Sequence, residues 1–166
     1  MIAAEAARES PLWKAALRPN PECEPVFSRL AEGRWGLGLE TIYEGYLLHY
    51  GRARLFALAD SDTALLLGDY LYAHGLVRIA EHEDVAAVLD LSELISLCAQ
   101  LRAEAKGGDG AAWAATAAVL GEGQLDEARS ALRASGDAAL LMRLARAAAG
   151  GEAVEQALAA HDLRLG

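Results

Sequence analysis

Cysteine and basic residues are scarce in this chain of 166 residues, and each scarcity excludes a class of protein. The two cysteines, Cys23 and Cys98, are too few and too far apart for a disulfide framework or a cysteine-based zinc site. Lysine and arginine number 15 against 24 aspartates and glutamates, which gives a formal net charge of −9. Because binding to nucleic acid or to an anionic membrane surface requires a basic protein surface, we predict neither partner.

Long apolar runs are also missing. Glu5, Arg8 and Glu9 interrupt the N-terminal stretch, whereas a secretory signal needs an unbroken apolar core. The most apolar stretch, 111–120, is rich in alanine and is about half as long as a membrane span. We therefore predict a cytoplasmic protein with no transmembrane segment, while association with a membrane complex stays open.

What the chain does have is enough apolar sequence for one packed domain. Hydrophobic residues make up 54% of it, which excludes intrinsic disorder, and its length suits a single domain. All four prolines lie within the first 25 residues, so long helices can form beyond them. Because β-branched residues are sparse and hairpin turn sequences are missing, we predict an all-α helical bundle of about seven to nine helices.

Turn residues, together with apolar residues at steps of three and four, place the elements. A glycine-rich break at 107–110 divides the domain into 1–106 and an alanine-rich part, 107–166, for which we predict short helical hairpins. We predict that Asp60 and Asp62 cap the start of a helix. The other predicted elements are an extended connection over 19–25, a short helix over 26–32, a turn over 33–38 and helical segments within 39–59, 63–82 and 85–106.

No complete catalytic motif occurs in the sequence. His82 and Glu83 begin a metalloprotease motif, but Ala86 stands where its second histidine belongs. Neither cysteine lies beside a histidine, the nucleophile motif GxSxG does not occur, and no two aspartates are adjacent. We therefore predict no catalytic residue, no metal ligand and no cofactor, and the sequence favours a protein without enzymatic activity.

The segment from Tyr46 to Gly75 reads YLLHYGRARLFALADSDTALLLGDYLYAHG. The order of LLH at 47–49, GRAR at 51–54 and LLLGDYL at 65–71 resembles the trans-polyprenyl diphosphate synthases, which belong to the all-α isoprenoid synthase family. The resemblance implies an isoprenoid-synthase-like arrangement of helices in the first two thirds of the chain.

The chain departs from that family at its metal-binding motifs. The family's DDxxD loop belongs between His49 and Gly51, where only Tyr50 stands, and the second aspartate motif has no counterpart after residue 105. In the family these aspartates hold Mg²⁺, which assists the departure of the diphosphate. The resemblance therefore implies a degenerate and truncated relative.

Three functional hypotheses follow. The first is a non-catalytic polyprenyl-synthase-like protein that acts by helix-mediated association, as a structural or regulatory subunit of a homo-oligomer or hetero-oligomer. The second is an accessory or scaffold subunit of a larger complex without a connection to prenyl metabolism. The third is an isoprenoid-diphosphate-binding protein, because guanidinium groups fit phosphate oxygens.

These hypotheses assign two sets of candidate residues. For the arginines the alternative role is a surface salt bridge, and for the tyrosines it is ordinary core packing. The predicted ligand-binding residues are Arg52, Arg54, His49 and Asp69, and the predicted interface residues are Tyr43, Tyr46, Tyr50, Gly68, Tyr70 and Tyr72.

Overall fold

The computed structural model describes residues 2–165, and the prediction of an all-α bundle is confirmed there. About 73% of the chain is helical, and this range contains nine α-helices and no β-strand. The helices are α1 (Ile2–Glu9), α2 (Pro11–Ala15), α3 (Gly36–Tyr50), α4 (Ser61–Ala80), α5 (Val85–Ala103), α6 (Asp109–Ala118), α7 (Asp126–Ser135), α8 (Ala139–Ala149) and α9 (Gly151–Leu165).

Aspartate side chains begin the two longest helices. The carboxylate of Asp60 accepts a hydrogen bond from the backbone N–H of Thr63 at 2.8 Å, which caps α4 as predicted. The carboxylate of Asp84 accepts one from the N–H of Ala87 at 3.0 Å and caps α5 in the same way. Each bond satisfies an amide that has no partner within its own helix.

The proline-rich connection over 19–25 contains no helix, and it lies beside the segment that joins α3 to α4. The N–H of Arg18 donates to the carbonyl of Leu55 at 2.9 Å, and the N–H of Glu22 donates to the carbonyl of Arg54 at 3.1 Å. These bonds hold two irregular segments together, so the connection has a fixed position against the bundle.

The prediction of a turn over 33–38 is right for its first three residues and wrong for the last three. Residues Gly33–Trp35 form a single 3₁₀ turn, and α3 begins at Gly36. Gly38 lies inside α3, where a β-carbon would meet the side chain of Ile79 at 2.7 Å. This glycine therefore serves close packing between two helices and not the reversal of the chain.

Two further helix predictions need correction. Residues 26–32 contain only a 3₁₀ turn, Ser28–Leu30. The helix predicted within 39–59 ends at Tyr50, and the connection that follows is irregular. Its backbone bonds instead to a buried carboxylate, since the N–H of Leu55 donates to Glu44 at 2.7 Å.

The main hydrophobic core combines residues from both sides of the glycine-rich break. Tyr43 and Leu94 from the first part and Trp113, Leu132 and Val154 from the second belong to the same buried cluster. The alanines of α6 are almost all buried, because their small side chains let α5, α8 and α9 pack closely around this helix. A smaller cluster seats α1 and α2 against α4; it consists of Ala6, Ala16, Leu55, Phe56, Leu67 and Leu71.

Candidate functional site

Most of the predicted functional residues lie on α3, on α4 and in the connection between them. The two helices run antiparallel and form the most extensively packed pair in the bundle. A β-carbon at Gly45 would lie 2.8 Å from the carbonyl oxygen of Gly68, and one at Gly75 would lie 2.9 Å from that of Gly38. The backbones therefore touch at two levels, and this contact fixes the positions of the side chains around them.

His49 and Asp69 form a pair across these two helices. The Nε2 atom of His49 lies 3.2 Å from a carboxylate oxygen of Asp69, and its ring stacks on Tyr72 with 5.0 Å between the ring centres. Burial lowers the pKa of His49 below its usual value of 6.5, against the opposing effect of Asp69. The imidazole is therefore mainly neutral at pH 7 and adds little positive charge for an anionic ligand.

The structure corrects the role predicted for Arg54, whose guanidinium is engaged inside the chain. Its Nη1 lies 2.7 Å from a carboxylate oxygen of Glu40, and its Nε donates to Glu44 at 3.1 Å. Nη1 also donates to the carbonyl of Glu24 at 2.9 Å. Burial opposes its charge, but the two carboxylates outweigh this effect and raise the pKa of Arg54. Arg54 thus ties α3 to both irregular segments and does not present its charge to a ligand.

Arg52, in contrast, is exposed and lines a surface pocket of about 500 Å³. Arg18 lines the same pocket, which lies beside the C-terminal end of α3. The structure therefore separates the two predicted arginines, since Arg52 faces a pocket while Arg54 lies in the protein interior.

Three of the six predicted interface residues are wholly or nearly buried, which is a correction. Tyr43 and Tyr46 have no exposed surface. The hydroxyl of Tyr43 forms a hydrogen bond with His161, and that of Tyr46 donates one to Asp109. Gly68 is buried beneath the ring of His49. These residues pack within the chain because the tyrosine rings fill the space between α3, α6 and α9. Tyr50, Tyr70 and Tyr72 are half-buried.

A buried polar cluster joins α3, α5, α6 and α9, and no pattern in the sequence predicted it. Arg102 and Tyr46 donate to the carboxylate of Asp109, and Nε2 of His161 lies 3.5 Å from it. Nδ1 of His161 lies 2.9 Å from the hydroxyl of Tyr43. Burial alone would raise the pKa of Asp109, but the contact with His161 and the hydrogen bond from Tyr46 outweigh it and lower the pKa. The cluster holds the last helix against the core.

An exposed apolar stripe runs along α4 on the side opposite to α3. Leu66 and Val77 are 61% and 58% exposed, and the half-buried Tyr70 and the exposed Ala73 and Ala80 lie between or beside them. Steps of four and three place these five residues on one helix face, and we call them the α4 stripe. The sequence itself places Leu66, Tyr70 and Val77 along one row of the helix, but it does not show that this row is exposed.

Comparison of the chain with protein-family models, with curated proteins and with solved structures finds no match. In the part of the chain that the structure describes, no group of three or more His, Cys, Asp or Glu side chains could hold a metal ion. Over the same residues, no helix is both long and apolar enough to cross a membrane.

Proposed function

We propose that this chain is a non-catalytic, polyprenyl-synthase-like protein that acts as a structural or regulatory subunit by helix-mediated association. The α4 stripe is the observation that carries the proposal. A helix that is apolar on one face packs that face on its own core, whereas α4 is apolar on the opposite face as well. Contiguous exposed apolar surface on a folded domain is typical of protein–protein contact sites.

The arrangement of α3 and α4 supports the polyprenyl-synthase-like part of the proposal. The LLH motif lies at the end of α3, GRAR lies mainly in the connection, and LLLGDYL lies within α4. The three motifs thus share one antiparallel helix pair in the order in which the family carries them. The partner that suits this ancestry is another all-α subunit, either a second copy or a full-length synthase.

The state of Arg54 supports the non-catalytic part. Glu40 and Glu44 both contact its guanidinium, and Arg54 is 2% exposed. A diphosphate would have to displace two buried carboxylates from this group, at a cost of several kcal/mol for each charge left unpaired. Arg54 therefore stabilises the fold and is not available to bind a diphosphate.

The experiment compares the parent chain with Leu66→Asp, Val77→Asp and Leu163→Asp. Leu163 is the matched control, because it is 75% exposed and lies on α9 instead of α4. Each purified chain is analysed by size-exclusion chromatography with light scattering over a range of concentrations. Each is also used, with a tag, to capture partners from the source organism, which are then quantified by mass spectrometry.

We expect self-association, or capture of a prenyl synthase, by the parent and by Leu163→Asp, with a reduction of at least about tenfold in the two stripe variants. A monomeric parent that captures the same proteins as both stripe variants would contradict the proposal. Stripe-dependent capture of an unrelated complex would replace it with the scaffold hypothesis.

A further inference from the structure

The α4 stripe has carboxylates along both of its edges. Asp62 comes four residues before Leu66 and Asp69 three residues after it, so both lie beside the stripe on one side. Glu81 follows Val77 by four residues and lies on the other side. All three acidic residues are exposed, and within residues 2–165 neither Asp62 nor Glu81 forms an ion pair. Their charges are therefore open to a partner.

The arginines of α4 and α1 do not cancel these charges. Arg78 is the one lysine or arginine of α4, and it pairs with Glu5 and donates to the hydroxyl of Thr41 at 2.7 Å. Arg8 of α1 lines a hollow at the edge of the stripe, but the neighbouring Glu9 lines it as well. The stripe is therefore apolar along its middle and negative along its edges, and such a surface attracts positive charge.

The apolar surface continues beyond the end of α4. Ala80, the last residue of the stripe, borders a hollow of about 410 Å³ that Val85 and Val88 of α5 also line. Val85 is 81% exposed. Glu83 lines the same hollow and follows the C-terminal end of α4, where the helix dipole adds a partial negative charge. The hollow thus offers room for an apolar side chain, with a negative rim beside it.

A second copy of the chain does not complement this pattern. In an antiparallel pairing of two stripes, Leu66 faces Val77 of the other copy. Asp62 then faces Glu81, because the two pairs share one midpoint along α4. In a parallel pairing, Asp69 faces the same residue of the other copy. Because like charges that face each other oppose association, the edges of the stripe favour a partner of different sequence.

We propose that the α4 stripe binds a helix of a different protein, which is apolar on one face and carries lysine or arginine along the edges of that face. The proposal rests on the proposed function and names the chemistry of the partner. From Leu66 to Ala80 the stripe is about 21 Å long, which suits a helix of about four turns. The partner's cations would meet Asp69 and Glu81, and an apolar side chain at its end would enter the hollow beside Val85.

The test uses three synthetic peptides of about 15 residues, each with a fluorescent label. The first carries leucines at helical steps of three and four and lysines elsewhere, and the second has glutamate in place of each lysine. The third has the composition of the first in an order that forms no apolar face. Binding to the purified chain is measured by fluorescence anisotropy. We expect the first peptide to bind at least about tenfold more tightly than the other two, and less tightly as the salt concentration rises.

Variants locate the binding surface. Asp69→Asn combined with Glu81→Gln removes one carboxylate from each edge and should weaken binding of the first peptide at least about threefold. Leu66→Gln removes an apolar side chain from the stripe and should weaken it at least about tenfold. Glu152→Gln combined with Asp162→Asn is the matched control, because it makes the same change of charge at exposed positions on α9. Circular dichroism confirms that each variant is folded.

The proposal is overturned if either of the other peptides binds as tightly as the first. It is equally overturned if the stripe variants bind the first peptide with the affinity of the α9 control, or if this peptide does not bind at about 1 mM. A chain that associates with itself through the stripe, and that the first peptide does not dissociate, also overturns it but leaves the proposed association intact. The proposed association fails separately, because it is read from oligomeric state and partner capture.

Discussion

Gly45 on α3 meets Gly68 on α4 so closely that a β-carbon at Gly45 would lie 2.8 Å from the carbonyl oxygen of Gly68. Seven residues towards the start of α3, Gly38 and Gly75 repeat the relationship, and a β-carbon at Gly38 would lie 3.2 Å from the carbonyl oxygen of Gly75. The two contacts set the distance between the helices along most of their length. The α4 stripe lies on the other side of α4, where Tyr70 packs on Trp13 while Leu66 and Val77 stay exposed.

Gly45→Ala should destabilise the chain. Alanine favours a helix over glycine by about 1 kcal/mol, but here the new methyl group meets backbone, which has no rotamer to change. Forced separation of packed helices costs about 1–3 kcal/mol, so we expect a net loss in the free energy of unfolding, measured in urea. Gly107→Ala is the control, because nothing lies within 4 Å of its β-carbon position. A urea midpoint for Gly45→Ala equal to that of the control would contradict the close contact.

The helices themselves could be predicted because their signals are local. Apolar spacing and the cap at Asp60 placed α4 within two residues at each end. Gly38 shows where such reasoning fails, since glycine occurs both in turns and in helix contacts. Its neighbours on α4, the side chain of Ile79 and the carbonyl of Gly75, show that Gly38 serves a helix contact.

The candidate site was harder to predict because its decisive partners are distant in sequence. Arg54 and Arg52 look alike in GRAR, yet Glu44 and Glu40 neutralise the first and leave the second exposed. Tyr43 contacts His161 on the last helix, and no periodicity within α3 indicates that contact. The pattern of a helix shows which face is apolar but does not show what covers it.

Arg54→Met should cost about 3–5 kcal/mol in the free energy of unfolding, because it leaves two buried carboxylates without their cation. Adding Glu44→Gln to this variant should recover part of the lost stability. Burial raises the pKa of Glu44, so its negative charge destabilises the folded state once Arg54 is removed. Arg29→Met is the control, because Arg29 pairs with the exposed Glu24 at 2.7 Å and should change stability by less than about 1 kcal/mol. Equal urea midpoints for Arg54→Met and Arg29→Met would show that the buried pairs contribute little.

The two thiols should differ sharply in reactivity. Cys23 is exposed in the proline-rich connection, whereas Cys98 is 1% exposed and burial raises its pKa well above the usual range. Because the thiolate is the reactive form, a disulfide reagent such as DTNB should modify one thiol in the native chain and the second only in urea. Cys23→Ser should abolish the rapid reaction. Rapid release of two equivalents from the folded parent would mean that α5 opens readily.

Acid should destabilise the chain through Asp109. Its pKa is lower in the folded state than in the unfolded chain, because the contact with His161 and the hydrogen bond from Tyr46 favour the ionised form and outweigh the effect of burial. A depressed pKa contributes stability above the unfolded value, near 4, and that stability is lost as the pH falls below it. We therefore expect the free energy of unfolding to fall between about pH 5 and pH 2, and to fall less steeply in Asp109→Asn.

Tyr43→Phe is the control for that experiment, because it should lower the free energy of unfolding by an amount similar to that for Asp109→Asn. It removes the hydroxyl that lies 2.9 Å from Nδ1 of His161 and leaves the carboxylate of Asp109 in place. Loss of one buried hydrogen bond should lower stability by about 1–3 kcal/mol at every pH, so the acid dependence should keep the slope of the parent. Parallel curves for the parent and Asp109→Asn would show that other carboxylates cause the acid sensitivity. If only Asp109→Asn shows a shallower slope, the acid sensitivity arises in the cluster that holds α9 against α3 and α6, because only this variant removes the titrating group.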